Sequence, residues 1–370
     1  MSCNRRIVIL EKDLRKERIM KDFFLNGAAH GDVASKLLEN DFDVNSLRPF
    51  KGSDGRNYVT TIQNGQPRVQ PIGNATASLR KDDWKILDDA VLKASRQRLK
   101  AVADLRSSGL VYTIPNGMSK TVLETEMMGD VNDATVSMDG LREGANDRPQ
   151  FETINLPLPI IHFDFSFSAR QISVSRNGGS PLDTTMAEQA GRKVAECAEK
   201  MLLGVWTAND QYTYGGGTIY GYTDFPDRST GSVTTPTGSN GTTTINEILG
   251  MRQAAYDDYH YGPYMLYNSP AWDQYLDNEF KTNSDRTLRE RIGAIQGIDG
   301  PHTLDYLTNY DMLLVQKSTD TVREVVGMDV TTVQWPSNGG MKLNFKVMAI
   351  MVPQLRSDIN DRSGIIHYSA

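Results

Sequence analysis

The sequence predicts an α+β fold in which one sheet receives the chain twice, with an α/β unit inserted between the two visits. Three observations carry that reading. Residues 183–205 have the periodicity of one long amphipathic helix. Just before it, Ile161, Phe163, Phe165 and Phe167 alternate with His162, Asp164, Ser166 and Ser168, which describes a strand with one aromatic, buried face. Much later, Leu343, Phe345 and Val347 alternate with Lys342, Asn344 and Lys346, and a Pro-Ser-Asn-Gly-Gly run joins this stretch to residues 331–335 as a hairpin.

A chain of 370 residues can bury a sizeable core, in two domains or in one with insertions. No run approaches the roughly 18 apolar residues of a membrane helix, and residues 7–10 are too short for a signal segment, so neither membrane insertion nor secretion is expected. Cys3 and Cys197 lie far apart and are expected as reduced thiols in a cytoplasmic setting. The net charge of -6 hides a division: residues 1–106 carry 20 Lys and Arg against 14 Asp and Glu, and the remainder 20 against 32. Either both surfaces are simply solvated, or the basic front of one copy meets the acidic middle of another.

Taken in order, residues 1–24 read as a charged helix with Ile7, Leu10 and Leu14 on one side. Residues 26–77 are rich in Gly, Asn, Asp and Pro, with brief apolar pieces such as 58–62, and are expected as an arm that orders against neighbours or stays partly disordered. A second long helix is predicted from about 82 to 105, with Trp84, Leu87, Val91, Ala94, Ala101, Val102 and Leu105 on its apolar side and a stop at Ser107-Ser108-Gly109. Residues 110–160 then alternate strand-like pieces (110–114, 121–127, 135–138) with turns at Asn116-Gly117, Met128-Gly129 and Asp139-Gly140. Between 119 and 152 there are 8 acidic and 3 basic residues and few large apolar ones. A stretch this long without a core of its own is a functional loop or an arm that packs elsewhere.

In the central helix, Asp183 or Thr184 is the expected cap, and Met186, Ala187, Ala190, Val194, Cys197, Met201 and Leu202 form the stripe. About 22 residues make a helix of roughly 33 Å. Glu188 with Arg192 and Glu196 with Lys200 are i,i+4 pairs for the solvated face. Gly191 costs the helix about 1 kcal/mol, which points to another backbone close by. After the helix, 229–243 is expected as a loop, and Thr244-Ile-Asn-Glu247 as a capping box opening a helix to about Tyr259. Residues 264–267 read as a short buried strand, Ser269-Pro270 as the start of a helix to about Phe280, Ser284 as the start of another through Leu288 and Ile292, and 312–316 as a strand. Together they predict an α/β subdomain over 207–319.

Candidate chemistry is thin. Gly215-Gly216-Gly217 follows a helix and precedes extended chain, the reverse of a phosphate cradle. His30, His162, His260, His302 and His367 show no metal-ligand spacing, and HExxH, CxxC and Gly-x-Ser-x-Gly are absent. Asp257-Asp258 and the tyrosines at 256, 259, 261, 264 and 267 fit packing or an interface better than acid/base work or sugar binding. Asp224 beside Pro226 reads as a turn residue. The basic helix at 80–106 lacks aromatic interleaving beyond Trp84, so a solvated face fits it better than nucleic acid. No catalytic, cofactor-binding or metal residue is assigned.

The order of these elements resembles the major capsid proteins of tailed phages, which share the Hong Kong 97 capsid fold, and within it the linocin/encapsulin-like branch. Its carriers are Leu156-Pro-Leu-Pro159, Ser168-Ala-Arg-Gln-Ile172 and Ile219-Tyr-Gly-Tyr-Thr-Asp-Phe-Pro226, in order, within about residues 82–368. The resemblance implies an N-terminal arm over 1–80, a helix of the peripheral domain over 81–109, and an extended loop over 110–160 that lies on an adjacent subunit. It implies a peripheral domain at 161–206 and 320–355 with its spine helix at 183–205, an axial domain at 207–319, and a C-terminal segment at 356–370. The implied function is structural, with no enzyme activity and no cofactor: pentamers and hexamers of an icosahedral shell enclosing double-stranded DNA, in a virion assembled in the host bacterial cytoplasm. Implied partners are other copies, non-specifically held DNA, and portal, scaffold or decoration proteins, with no membrane. The alternatives are an encapsulin-type compartment holding an enzyme cargo, and an enzyme using the tyrosine-rich lobe near 256–267. Some shells of this fold join a lysine to an asparagine; Lys120 is the one lysine in the loop, and no motif identifies a partner for it.

Overall fold

The computed structural model describes residues 48–63, 66–71, 79–96, 99–115, 117–128, 138, 151–177, 184–205, 211–237, 241–280, 286–358 and 360–370. It begins with a small antiparallel sheet of β1 (Phe50–Lys51), β2 (Asn57–Gln63) and β3 (Gln66–Pro71), where the sequence predicted a coreless arm. Its order comes from the helix behind it. Arg48 forms a buried ion pair with Asp88 and lies 4.5 Å over the Trp84 ring, while the Trp84 indole N–H donates to the Pro49 carbonyl at 3.1 Å. The expected helix at 1–24 and the arm at 26–47 lie outside the described residues.

Two helices, α1 (Lys81–Arg96) and α2 (Ala101–Ser107), replace the single helix expected over 82–105. The apolar spacing does run through both, since Trp84, Leu87, Val91, Ala101, Val102 and Leu105 are all buried. What spacing could not show is that the Glu199 carboxylate, from far along the chain, accepts the N–H groups of Ala101 at 2.6 Å and Val102 at 3.3 Å, which gives α2 a start of its own.

Strand β4 (Val111–Thr113) follows, then the two-stranded ribbon of β5 (Val122–Met128) and β6 (Phe151–Pro157), and β7 (Ile161–Ser168). A helix α3 (Ala169–Asn177) precedes the spine helix α4 (Thr185–Leu203). On the spine, Ala187, Ala190, Gly191, Val194, Ala198, Met201 and Leu202 are buried, but Met186 is exposed and Cys197 half-buried. Of the two expected caps, Asp183 lies outside the described residues, and Thr184 makes no capping bond, its hydroxyl meeting Glu188 at 3.2 Å. Glu196 is engaged by Arg192 at 3.5 Å and by Lys193 at 2.9 Å. Gly191 does mark a close approach, since a Cβ there would stand 2.7 Å from the Val91 carbonyl oxygen of α1.

Beyond the spine come the hairpin β8 (Thr213–Tyr214) and β9 (Gly217–Thr218), then β10 (Ser229–Ser232), α5 (Gly241–Asp257), β11 (Tyr264–Asn268), α6 (Asp273–Leu276), α7 (Leu288–Gly293), β12 (Ile298–Thr303) and β13 (Met312–Gln316). The chain closes with β14 (Val322–Ser337), β15 (Lys342–Leu355) and β16 (Ile365–Ser369). One sheet has the order β4-β14-β15-β7, so the aromatic strand and the late hairpin do share a sheet. Phe345 faces Phe165 in register, their rings stacked at 5.2 Å, with Phe167 at 5.6 Å and the edge of Trp84 at 6.0 Å.

The second sheet has the order β10-β16-β13-β11-β12. Several expectations here need correction. Residues 229–232, read as loop for want of an apolar pattern, form β10 because β16 offers a parallel edge. That partner lies within residues 356–370. The capping box is not one: α5 starts at Gly241, Thr244 is buried within it, and Glu247 accepts the N–H of Thr234 at 2.9 Å. The helix expected from Ser269 to about Phe280 ends at Leu276, and the Ser269 hydroxyl is drawn to the Asn309 carbonyl at 2.5 Å. The next helix starts at Leu288, capped by Thr287, whose hydroxyl accepts the Glu290 N–H at 3.3 Å; Ser284 lies outside the described residues. β11 and β13 are buried on both faces, with Tyr267 and Leu313 in the larger core and Leu266 and Leu314 in the second, so their apolar runs are continuous.

Candidate assembly interface

The ribbon β5–β6 is rooted in the larger core and is exposed along most of β6. Its register runs from Val122 opposite Pro157 at the root to Met128 opposite Phe151. Leu123 and Leu156 anchor the root in the larger core, but along β6 the side chains from Phe151 to Ile154 are exposed, Phe151 by 62% and Ile154 by 39%. Met138, in the segment between the strands, is fully exposed. Glu124, Glu126 and Glu152 add exposed negative charge to the same strands. Aromatic and aliphatic side chains interleaved with carboxylates, on a ribbon with no core behind them, make a surface suited to docking and unsuited to chemistry.

Among the described residues, side-chain bonds tie the ribbon to the body. Gln354 donates to the Thr125 hydroxyl at 3.2 Å, the Ser357 hydroxyl reaches the Met127 sulfur at 3.7 Å, and Asn155 donates to the Gly215 carbonyl at 3.0 Å. The glycine run that failed as a phosphate loop is thus the turn of β8–β9, set against the ribbon root.

Buried charge concentrates where the spine meets its neighbours. The Arg106 guanidinium binds both oxygens of Glu324, at 2.8 and 3.1 Å, and Asp329 at 3.1 Å. Burial pushes Asp329 up to about 6, against the pull of Arg106. Burial likewise pushes Asp88 to about 6, with Arg48 opposing it, and Glu199 to about 7, although the N–H groups of α2 favour its charged form. Beside Glu199, burial raises the phenols of Tyr222 and Tyr267 and, more mildly, the carboxyl of Asp104. Sequence reasoning passed over Glu199, yet a signal was present: it lies four residues after Ala195 and three before Leu202, inside the apolar stripe.

The residues weighed from sequence do not converge. His162 sits beside Asp164 at 3.6 Å, His260 beside Gln316, His302 beside Asp299 and His367 beside Asp311, in four separate places; His30 lies outside the described residues. Among the described residues no three His, Cys, Asp or Glu are grouped to hold a metal, and no helix is long and apolar enough to cross a membrane. Tyr264 and Tyr267 are buried, whereas Tyr259 and Tyr261 are exposed. Asp257 accepts from Gln253, and burial raises Asp258 near His260 and Arg362. Asp224 is a turn residue, accepting the Gly221 N–H at 2.5 Å. Lys120 is exposed just before the ribbon.

With that geometry in place, comparison with known proteins is direct. Residues 74–368 match the family described as "Family of unknown function (DUF6260)". The chain belongs to this family. It is also similar to the type 1 encapsulin shell protein EncA of Myxococcus xanthus (strain DK1622), at 26% identity over 296 residues, which are 77% of this chain and 93% of that one. Among solved structures, this DUF6260 chain is similar to a virus-like particle from Pyrococcus furiosus, at 15% identity, TM-score 0.53, and coverage of 77% of this chain and 98% of the other. It is similar too to the capsid of Myoviridae phage XM1, at 9% identity, TM-score 0.53, and coverage of 71% and 90%. The fold is therefore of the Hong Kong 97 capsid type, and the resemblance to capsid and encapsulin-like proteins holds. These relatives are described as a shell protein, a virus-like particle and a phage capsid.

Proposed function

We propose that this DUF6260 chain is the subunit of a closed, icosahedral protein shell, and that the β5–β6 ribbon lies over a neighbouring subunit. The observation that carries the reading is a ribbon that exposes Phe151 and Ile154 and has no core beneath them. A two-stranded ribbon is marginal in water until something covers it. A contact from one subunit to the next, repeated by rotation, closes into rings, and rings of five and six close into a shell. In this reading the sheet β4-β14-β15-β7 with α4 is the peripheral domain, and the α/β lobe is the axial domain around the symmetry axes. The surplus of basic residues over 1–106 is complementary to the acidic ribbon of another copy.

Two contents fit such a shell. The similarity to an encapsulin shell protein along 93% of that relative favours a compartment around a protein cargo. The likeness to a phage capsid fold, with residues 1–73 lying ahead of the family match, favours a virion shell around double-stranded DNA, built in the host cytoplasm with portal, scaffold or decoration proteins. The test is negative-stain microscopy with light scattering on the protein expressed alone and on a variant lacking residues 120–150. The parent is expected to give closed megadalton particles and the deletion a folded, unassembled subunit. Normal shells from the deletion would sink the ribbon assignment, and a parent that stays monomeric at high concentration would sink self-assembly. Nuclease-protected DNA inside particles from the native source selects the virion, and a co-purifying enzyme selects the compartment.

A further inference from the structure

We infer that Gly217, at the end of the glycine run, seats the root of the β5–β6 ribbon and thereby sets the direction in which the ribbon meets a neighbouring subunit. The seat is read from the structure alone; its consequence for assembly rests on the shell reading above. The hairpin β8–β9 pairs Thr213 with Thr218 and Tyr214 with Gly217, leaving Gly215 and Gly216 as a two-residue turn. Both turn residues have positive φ, +60° and +77°, as a tight hairpin of this kind requires. Gly217 lies outside the turn and is not among the positive-φ glycines, so backbone conformation does not explain its missing side chain.

Packing does. A Cβ on Gly217 would stand 1.9 Å from the carbonyl oxygen of Asn155 and 2.6 Å from its carbonyl carbon. Those are backbone atoms, which cannot swing aside as a flexible side chain would. Contact also reaches the other strand, because a Cβ on Gly215 would stand 2.7 Å from Cγ2 of Val122. Asn155 closes the joint by donating from Nδ2 to the Gly215 carbonyl at 3.0 Å. The turn therefore touches both ribbon strands at the root, where register pairs Glu124 with Asn155. From there the strands run outward at about 3.4 Å per residue with little beneath them. To admit a methyl group at Gly217 the root must open by about 1.5 Å, and a rigid ribbon carries that tilt outward, enlarged, to its exposed end.

The test compares the parent with Gly217→Ala, and uses Gly250→Ala as a control because a Cβ there meets nothing within 4 Å. Hydrogen exchange of amides 122–128 and 151–156 is measured on the unassembled subunit, and particle diameter and yield are measured on the assembled one. Gly217→Ala is expected to speed ribbon exchange at least tenfold while leaving exchange in β14–β15 unchanged, and to lower the yield of uniform particles tenfold or shift their diameter. Parental exchange at the ribbon overturns the seat. Faster exchange with parental particles overturns its link to assembly geometry. Should Gly217→Ala not fold, Asn155→Ala, which removes only the side-chain bond, decides the seat: two- to threefold faster ribbon exchange supports it, and unchanged exchange overturns it. If the parent forms no particles, the shell reading fails while the exchange comparison still judges the seat.

Discussion

Two antiparallel strand pairs in this molecule share a backbone pattern and differ in almost everything else. Strands β14 and β15 lie in the middle of a four-stranded sheet under the spine helix, and from Val325 to Val333 and from Val347 to Val352 nearly every side chain is buried. Strands β5 and β6 pair in equally good register, yet Glu124, Glu126 and the side chains from Phe151 to Ile154 are exposed. Hydrogen bonds are made in both, so they do not account for the contrast. The difference is the apolar area removed from water, which the ribbon can gain only from another molecule.

Substitutions can break or sharpen that contrast. Phe345→Ala empties the centre of the aromatic cluster and is expected to cost about 3–5 kcal/mol in denaturant unfolding. A loss under about 1 kcal/mol would mean that the sheet core is not organised around that ring. The next effect is electrostatic. Glu199 has a folded pKa of about 7 against an ordinary 4.5, so the folded state keeps a proton that the unfolded chain has already released. That stabilisation is complete below about pH 4.5 and is lost as pH rises through 7, amounting to on the order of 3 kcal/mol. Asp88 and Asp329, raised to about 6, act in the same direction. The melting temperature of the unassembled subunit should therefore fall between pH 5 and pH 8, and Glu199→Gln should flatten the fall; an unchanged slope would remove Glu199 from the account.

Gly191→Ala forces α4 away from the Val91 carbonyl and is expected to cost about 1–3 kcal/mol despite the better helix propensity of alanine. A stabilised variant would show that the two helices can separate freely. The smallest effect on stability belongs to the ribbon. Phe151→Ser combined with Ile154→Thr should change unfolding by less than about 0.5 kcal/mol, because both side chains are already exposed. The same variant should lose particle formation by light scattering. A large stability loss without an assembly defect would reverse the roles assigned to the two strand pairs.

What was legible in the sequence followed from local periodicity. The strand at 161–168, the hairpin around residues 336–340, the spine helix and the close approach at Gly191 were all readable, because side-chain spacing reports a buried face directly. The break between α1 and α2 was not, since the group that creates it is a carboxylate about a hundred residues away. Neither was β10, whose Ser-Thr-Gly-Ser carries no pattern and becomes a strand through its parallel partner at the end of the chain. The buried set of Arg106, Glu324 and Asp329 was equally hidden: nothing in the sequence brings an arginine in one helix to two acids more than two hundred residues later.

By itself, then, the sequence determined the α+β class, the order of elements, and the acidic stretch that cannot build a core, because each of these depends on composition and spacing within a few turns of chain. Only the tertiary structure decided which strands are neighbours, where Glu199 and the Arg106 group are buried, and that the third glycine of the run sits against the ribbon. Those outcomes depend on contacts between segments distant in sequence, where a single carbonyl or carboxylate in the right place outweighs local preference.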